Sequence, residues 1–246
     1  MDLSVGGTFS NAITNAGGTI KVGSGVVFQQ IFTNNGGTLL VQPGNTTFSG
    51  GYTQNSGLTN MFGGTMIGNI NLAGGDLKGS GTINGNLVVD GTLSVGFSPG
   101  ALNIFGNLTL NPTSITNIEL GGTAPGTGYD VINVSGLATL GGTLNVSLYG
   151  GYIPAVGSRY SFLNFGSSSG SFASTNLLSG ISLNSFASYL DLLMSGGSSS
   201  LSLSLPPDFS SVIVGLNRAL VYDTESALPQ PDQEDDDLMY LKLCQE

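Results

Sequence analysis

The chain has 246 residues, of which 40 are glycine, 39% are hydrophobic and only 8% are charged, with a net charge of −10. Its five Lys and Arg are scattered, so the clustered cations that displace counterions from nucleic acid are missing, and an anionic membrane surface is excluded on the same ground. Glycine is far above the usual ~7% but lacks the three-residue period of collagen. This mixture suits an all-β repeat fold, with Gly, Asn and Asp at tight turns and Thr, Val and Ile in strands.

Residues 5–80 form a repeat region. Gly-Gly-Thr or a near variant begins at Gly6, Gly17, Gly36, Gly63 and Gly74, with gaps of 11, 19, 27 and 11 residues. The spacing is irregular but fits rungs of about 20 residues carrying two or three short strands. About eight rungs at ~4.8 Å each predict a rod on the order of 40 Å long. Ile20, Val22, Val27, Ile31, Leu39, Val41, Ile70 and Leu72 are the predicted interior. The chain opens directly in a strand-like repeat, without a basic start and apolar core, which reads as a fragment or truncated reading frame without a signal peptide. No apolar run approaches the roughly 18 residues of a membrane helix.

Between Gly79 and Gly150 short strand-like runs (Asn86-Leu-Val-Val, Thr92-Leu-Ser-Val, Ala101-Leu-Asn-Ile-Phe, Asn107-Leu-Thr-Leu) alternate apolar with small polar residues between Gly-rich turns. Gly79-Ser-Gly-Thr-Ile, Ser98-Pro-Gly-Ala-Leu, Gly106-Asn-Leu-Thr-Leu, Tyr129-Asp-Val-Ile-Asn-Val-Ser-Gly and Thr139-Leu-Gly-Gly-Thr-Leu-Asn-Val occur in that order. Together they resemble the C-terminal part of bacterial passenger proteins exported to the cell surface. The families concerned are autotransporter passengers and two-partner-secretion exoproteins of the filamentous-haemagglutinin type. The likeness covers about residues 60–175. Phe97 stands where such proteins usually carry Asn or another small polar residue. The resemblance implies a right-handed parallel β-helix and a secreted or surface-exposed, outer-membrane-associated life. It also implies an outer-membrane secretion partner and a host or neighbouring-cell surface, glycan or protein, as target.

The predicted organisation is a β-helix repeat region over 1–115, a β-rich cap over 116–205, a short helix within 206–222 and an acidic tail over 223–246. The cap collects Tyr149, Tyr152, Tyr160, Phe162, Phe165, Phe172, Phe186 and Tyr189, aromatic burial being the largest apolar contribution per residue. An antiparallel sheet suits it, and in the resembling proteins the matching stretch helps to nucleate folding after export. Val212, Leu216 and Leu220 share one face of the helix, behind Asp208 or Ser210 as N-cap. Eight of the fifteen acidic residues fall in the tail, where like charges stay solvated. The acidic tail is not expected to form the alternating strands of a membrane barrel.

The chain has no histidine, which removes the usual general base, Ser-His-Asp and Cys-His systems and imidazole metal sites. No catalytic, cofactor-binding or metal-binding residue is predicted. A carbohydrate-active β-helix needs a base beside acids, or a carboxylate pair, on one face. Asp76, Lys78 and Asp90 are the nearest approach, and Asp90 reads as an Asp-Gly turn residue. Glu119 and Asp130 stand alone. Asp235-Asp236-Asp237 lacks EF-hand spacing. Gly23-Ser-Gly and Gly79-Ser-Gly lack the helix that a phosphate loop requires. Asn45, Asn107, Asn133 and Asn145 fit the Asn-x-Ser/Thr acceptor pattern at about the frequency that this composition produces by chance. Cys244, the single cysteine, is a tail thiol or an anchoring or reactive thiol. The expectation is a non-catalytic stalk or adhesin segment from the C-terminal end of a large bacterial surface protein. The alternative is a carbohydrate-active β-helix enzyme of lyase or hydrolase type.

Overall fold

Alternation of apolar and small polar residues gives each short run one face to bury, and no run here can bury it alone. In the computed structural model, which describes residues 1–196, the solution is a parallel β-solenoid. Each turn of the chain lays down three strand segments, on faces designated A, B and C. Face A is traced by one outward-pointing position, through Lys21, Leu40, Asn60, Lys78, Ser94, Asn117, Asn145 and Asn176, each in parallel register with the next. Face B runs from Gly7–Phe9 through Val26–Phe28 and Asn45–Phe48 to Ala101–Ile104 and beyond. Face C starts at Ile13–Asn15 and passes through Ile70–Leu72, Leu87–Val89 and Leu108–Leu110. No helix occurs among the described residues.

Stacked partners stand 20 residues apart at Asn35–Asn55, 17 at Asn69–Asn86, 28 at Asn117–Asn145 and 31 at Asn145–Asn176. The rungs therefore lengthen toward the C-terminal end. The corners are bends in extended chain rather than hairpins. Strand Tyr52–Ile67 runs for 16 residues through two of them, across Gly57 and the Gly63-Gly64 pair. The ladder survives the bend because its partners lie in the rungs above and below, as in Thr38 N–H to Gly18 O at 2.8 Å and Thr92 N–H to Gly75 O at 2.9 Å.

Glycine is abundant because corners of successive rungs sit directly on one another. Between faces B and C, a Cβ added at Gly85 collides with the carbonyl oxygen of Gly68, and one at Gly106 with that of Gly85. Between faces C and A, the same holds for Gly75 against Gly57 and Gly91 against Gly75. Each column leaves no room for a side chain on its inner stack.

The interior is a set of one-residue columns. Leu39, Thr59, Leu77 and Leu93 stack from face A, and Phe32, Tyr52, Ile70, Leu87 and Leu108 from face C. The first rungs hold an aromatic ladder absent from the sequence-based reading. Phe9, Phe28 and Phe48 stack at centroid separations of 5.2 Å and 5.2 Å, with Phe32 and Tyr52 stacked beside them at 5.7 Å. Val22, Leu39, Val41, Ile70 and Leu72 are buried as expected. Ile31 is not. It is 44% exposed at a corner, and Phe32 points inward instead. Val27 likewise faces outward between buried Val26 and Phe28. The inside–outside phase restarts after every corner, and a one-residue slip flips the side chain.

One interior column is polar. Asn34 brackets Gly37, accepting its N–H at 3.1 Å and donating to its carbonyl at 3.0 Å. In the next rung Gln54 Nε2 donates to the carbonyls of Gly57, Gly74 and Asp76 at 3.0–3.2 Å, while Oε1 accepts from the hydroxyls of Tyr52 and Thr59. Burial pushes the Tyr52 phenol far above its usual range, so it stays a neutral donor.

Parallel stacking continues past residue 116, through Ile115–Leu120 and Thr143–Leu148 to Ser174–Asn176. Among the described residues, single antiparallel bridges link Gly79 with Gly96 and Leu120 with Tyr129, and antiparallel pairing between strands joins Arg159–Gly170 with Tyr189–Met194 and Tyr189–Met194 with Ile181–Ser185. That hairpin covers the end of face B, burying Tyr160, Phe162, Phe165 and Leu192. The strand-like residues 201–205, the helix of 206–222, the tail of 223–246 and Cys244 lie outside the described residues.

Candidate functional site

The residues singled out from the sequence do not converge. Asp76 and Lys78 stand on the outer side of face A, in register with Leu58 and Asn60 below and Thr92 and Ser94 above. Asp90 sits at the corner between faces C and A. Its carboxylate accepts from Asn111 Nδ2 at 2.9 Å and Thr113 Oγ1 at 3.2 Å, tying one rung to the next. Asp130 has partners that the sequence did not reveal. It is fully buried, and its two oxygens accept the N–H groups of Gly100 and Glu119, each at 2.7 Å. Burial pushes its carboxyl up to about 7, against the downward pull of those two donors. Among the described residues no three His, Cys, Asp or Glu side chains cluster as metal ligands would. Gly23-Ser-Gly and Gly79-Ser-Gly lie at corners between faces A and B, with no helix following. Asp235, Asp236, Asp237 and Cys244 lie outside the described residues.

What the outer surface does carry is order. Asn103, Asn133 and Asn164 form one amide row on face B, with Nδ2-to-Oδ1 distances of 2.9 and 2.8 Å. Ser94, Asn117, Asn145 and Asn176 form another on face A at 2.9, 2.9 and 2.7 Å. At the corner between faces B and C, Asn69, Asn86 and Asn107 each accept a backbone N–H from the rung above. An amide has two N–H donors and two lone pairs. The inner members Asn133, Asn117 and Asn145 therefore each spend one donor and one acceptor on their neighbours, repeating at ~4.8 Å per rung. Asn133 and Asn145, two of the four Asn-x-Ser/Thr matches, are held in these rows, whereas Asn45 is exposed.

Two open grooves follow the corner between faces B and C. One is lined by Asn103, Asn133, Asn164, Ser135, Ser188 and the 61%-exposed ring of Phe105. The other is lined by Ile31, Thr53, Asn69, Asn71, Asn86 and Val88. Neither has an acid or base in its lining.

A different feature marks the corner between faces A and B. Phe62 and Phe97 stack with centroids 4.7 Å apart and planes 18° from parallel, yet both remain exposed, at 42% and 45%. Phe62 is in register with Ser80 of the next rung, and Phe97 follows strand Thr92–Val95 of the rung after that. Lys78 Nζ stands 5.7 Å from the Phe97 ring centroid. Charge and aromatics are thus brought together by stacking rather than by sequence proximity. Only the rung length, about 17 residues here, hints at it in the sequence.

The geometry defines a parallel β-solenoid with amide-lined faces. No family model matches the chain, and no curated protein matches it.

Proposed function

We propose that this chain is a non-catalytic structural and adhesive segment, stalk or adhesin, from the C-terminal end of a large secreted or surface-exposed bacterial β-helical protein. The observation that carries this reading is the rung-to-rung hydrogen bonding. Backbone ladders continue around the corners, and the side-chain rows of Asn103–Asn133–Asn164 and Ser94–Asn117–Asn145–Asn176 run the same way outside. Such a rod keeps its backbone amides inside the ladder, where proteases do not reach them, and repeats one polar pattern along its length. The motif order from Gly79 to Thr139 supports export through an outer-membrane partner, with a host or neighbouring-cell surface as target.

The alternative, a carbohydrate-active β-helix enzyme, requires an acid and a base converging in a groove. The amide and hydroxyl linings of both open grooves favour the first reading. The test is a blot of fractionated source cells with an antibody raised against residues 150–196. A band far above 25 kDa in the surface or medium fraction is expected. A band near the mass of this chain, confined to the cytoplasm, sinks the proposal.

A further inference from the structure

We propose that Phe62, Phe97 and Lys78 form a binding site for an acidic sugar, a pyranose bearing a carboxylate. The inference deepens the adhesive reading and rests on it.

Two observations converge on this corner. The stacked rings of Phe62 and Phe97 are each more than two-fifths exposed, where burial of one ring against the core would be the lower-energy choice. Among the described residues, Lys21 pairs with Asp2 at 3.8 Å and Arg159 with Asp191 at 2.7 Å, while Lys78 has no ion-pair partner although Asp76 lies on the same strand.

The ligand class follows from the shape and charge of the patch. Two half-exposed rings are far smaller than the roughly 800 Å² that a stable protein partner covers on each side. Single-stranded nucleic acid also stacks on rings, but it needs a track of cations along its backbone, and this site has one. A sugar offers what remains. Its C–H face lies on the rings, its hydroxyls meet the hydroxyls of Ser80 and Ser94, and its carboxylate meets the Lys78 ammonium. A charge-assisted contact of this kind is among the stronger polar contacts. In a chain of net charge −10, an unpaired cation beside an apolar platform selects an anion that brings its own apolar face.

The test is calorimetric titration of the full chain with an oligogalacturonate and with the same oligosaccharide after carboxyl reduction, which removes the charge and keeps the sugar frame. The acidic oligosaccharide is expected to bind about tenfold more tightly, a difference of ~1.4 kcal/mol. Lys78→Gln is expected to erase that preference and leave the weaker neutral binding. Phe97→Ala is expected to abolish both, while Phe97→Tyr retains both and guards against a folding defect. Ile31→Ala, at a distant corner, changes neither. Equal affinity for the two oligosaccharides, no binding of the acidic one, or binding that survives Phe97→Ala overturns the site. Failure there, with the protein still at the cell surface, leaves the adhesive reading standing. Cleavage of either oligosaccharide overturns the non-catalytic reading instead.

Discussion

The backbone N–H of Gly100 donates to Oδ1 of Asp130 at 2.7 Å, across thirty residues of sequence. The second oxygen of Asp130 takes the N–H of Glu119, so one buried side chain pins the Ser98-Pro99-Gly100 bend to the end of strand Ile115–Leu120. Two of the motifs that stand out in the sequence are thereby joined at the point where the rungs widen.

Asp130→Asn replaces one of those acceptor oxygens with an amide NH2 group, a donor facing an N–H. The expected loss is about 1–3 kcal/mol, the cost of one buried donor left unpaired. The wild type carries a pH dependence through the same residue. Its carboxyl rises from an ordinary 3.8 to about 7 in the folded state, chiefly through burial. The folded state thus holds the proton more tightly, and stability contributed below pH ~4 is lost as the pH climbs through about 7. Denaturation midpoints measured across this window should fall with rising pH in the wild type and flatten in Asp130→Asn.

Corner packing predicts a sharp contrast between glycines. A Cβ at Gly85 runs into the Gly68 carbonyl, and φ of +151° adds backbone strain, so Gly85→Ala is expected to cost more than about 2 kcal/mol. Gly17 has nothing within 4 Å of an added Cβ and an ordinary φ. Gly17→Ala should lie within about 0.5 kcal/mol of wild type. Thermal melting of the two variants distinguishes stacking at the corners from a general intolerance of side chains in turns.

The all-β solenoid was legible because runs such as Thr92-Leu-Ser-Val put Leu93 and Val95 inside and Ser94 outside, as the strand period requires. The three-faced course was not, because Asn69–Asn86 and Asn145–Asn176 are 17 and 31 residues apart and no fixed period exists to find. Ile31 was misplaced for a related reason: the period-two phase cannot be carried across the corner before Phe32. Asn34 and Gln54 carry nothing in the sequence that sets them apart from the other polar residues. Their burial depends on carbonyls that the corner turns inward, which no local pattern encodes. The Phe62–Phe97 pair needed the register itself, since its two rings are 35 residues apart in sequence and come from different rungs.

Gln54 is the test of the polar interior column. Gln54→Leu keeps much of the volume but takes the amide donor from the carbonyls of Gly57, Gly74 and Asp76, and it leaves the hydroxyls of Tyr52 and Thr59 with only each other. A loss of roughly 3 kcal/mol is expected, since several buried groups lose partners at once. Replacing only the neighbouring hydroxyl, in Thr59→Val, should cost less, about 1 kcal/mol. Urea denaturation of both variants and of the wild type provides the measurement. An equal effect of the two would mean that packing, and not the hydrogen-bonded hub, sets the stability of this rung.

The cap is held by an ion pair of unequal burial. Arg159 donates to Asp191 at 2.7 Å, with the arginine half exposed and the aspartate essentially buried. Asn184 Nδ2 reaches the other carboxylate oxygen at 3.0 Å. Arg159→Met removes the positive partner and leaves the carboxylate inside with the amide alone. Breaking a buried pair in this way typically costs about 3–5 kcal/mol, and the exposed guanidinium places this case toward the lower end. Because each rung contacts only its neighbours, the damage should stay local at first. Amide exchange is expected to quicken in strands Arg159–Gly170 and Tyr189–Met194 while Leu39, Leu77 and Leu93 keep their protection. Uniform acceleration along the whole solenoid would show instead that the cap and the rungs unfold as one unit.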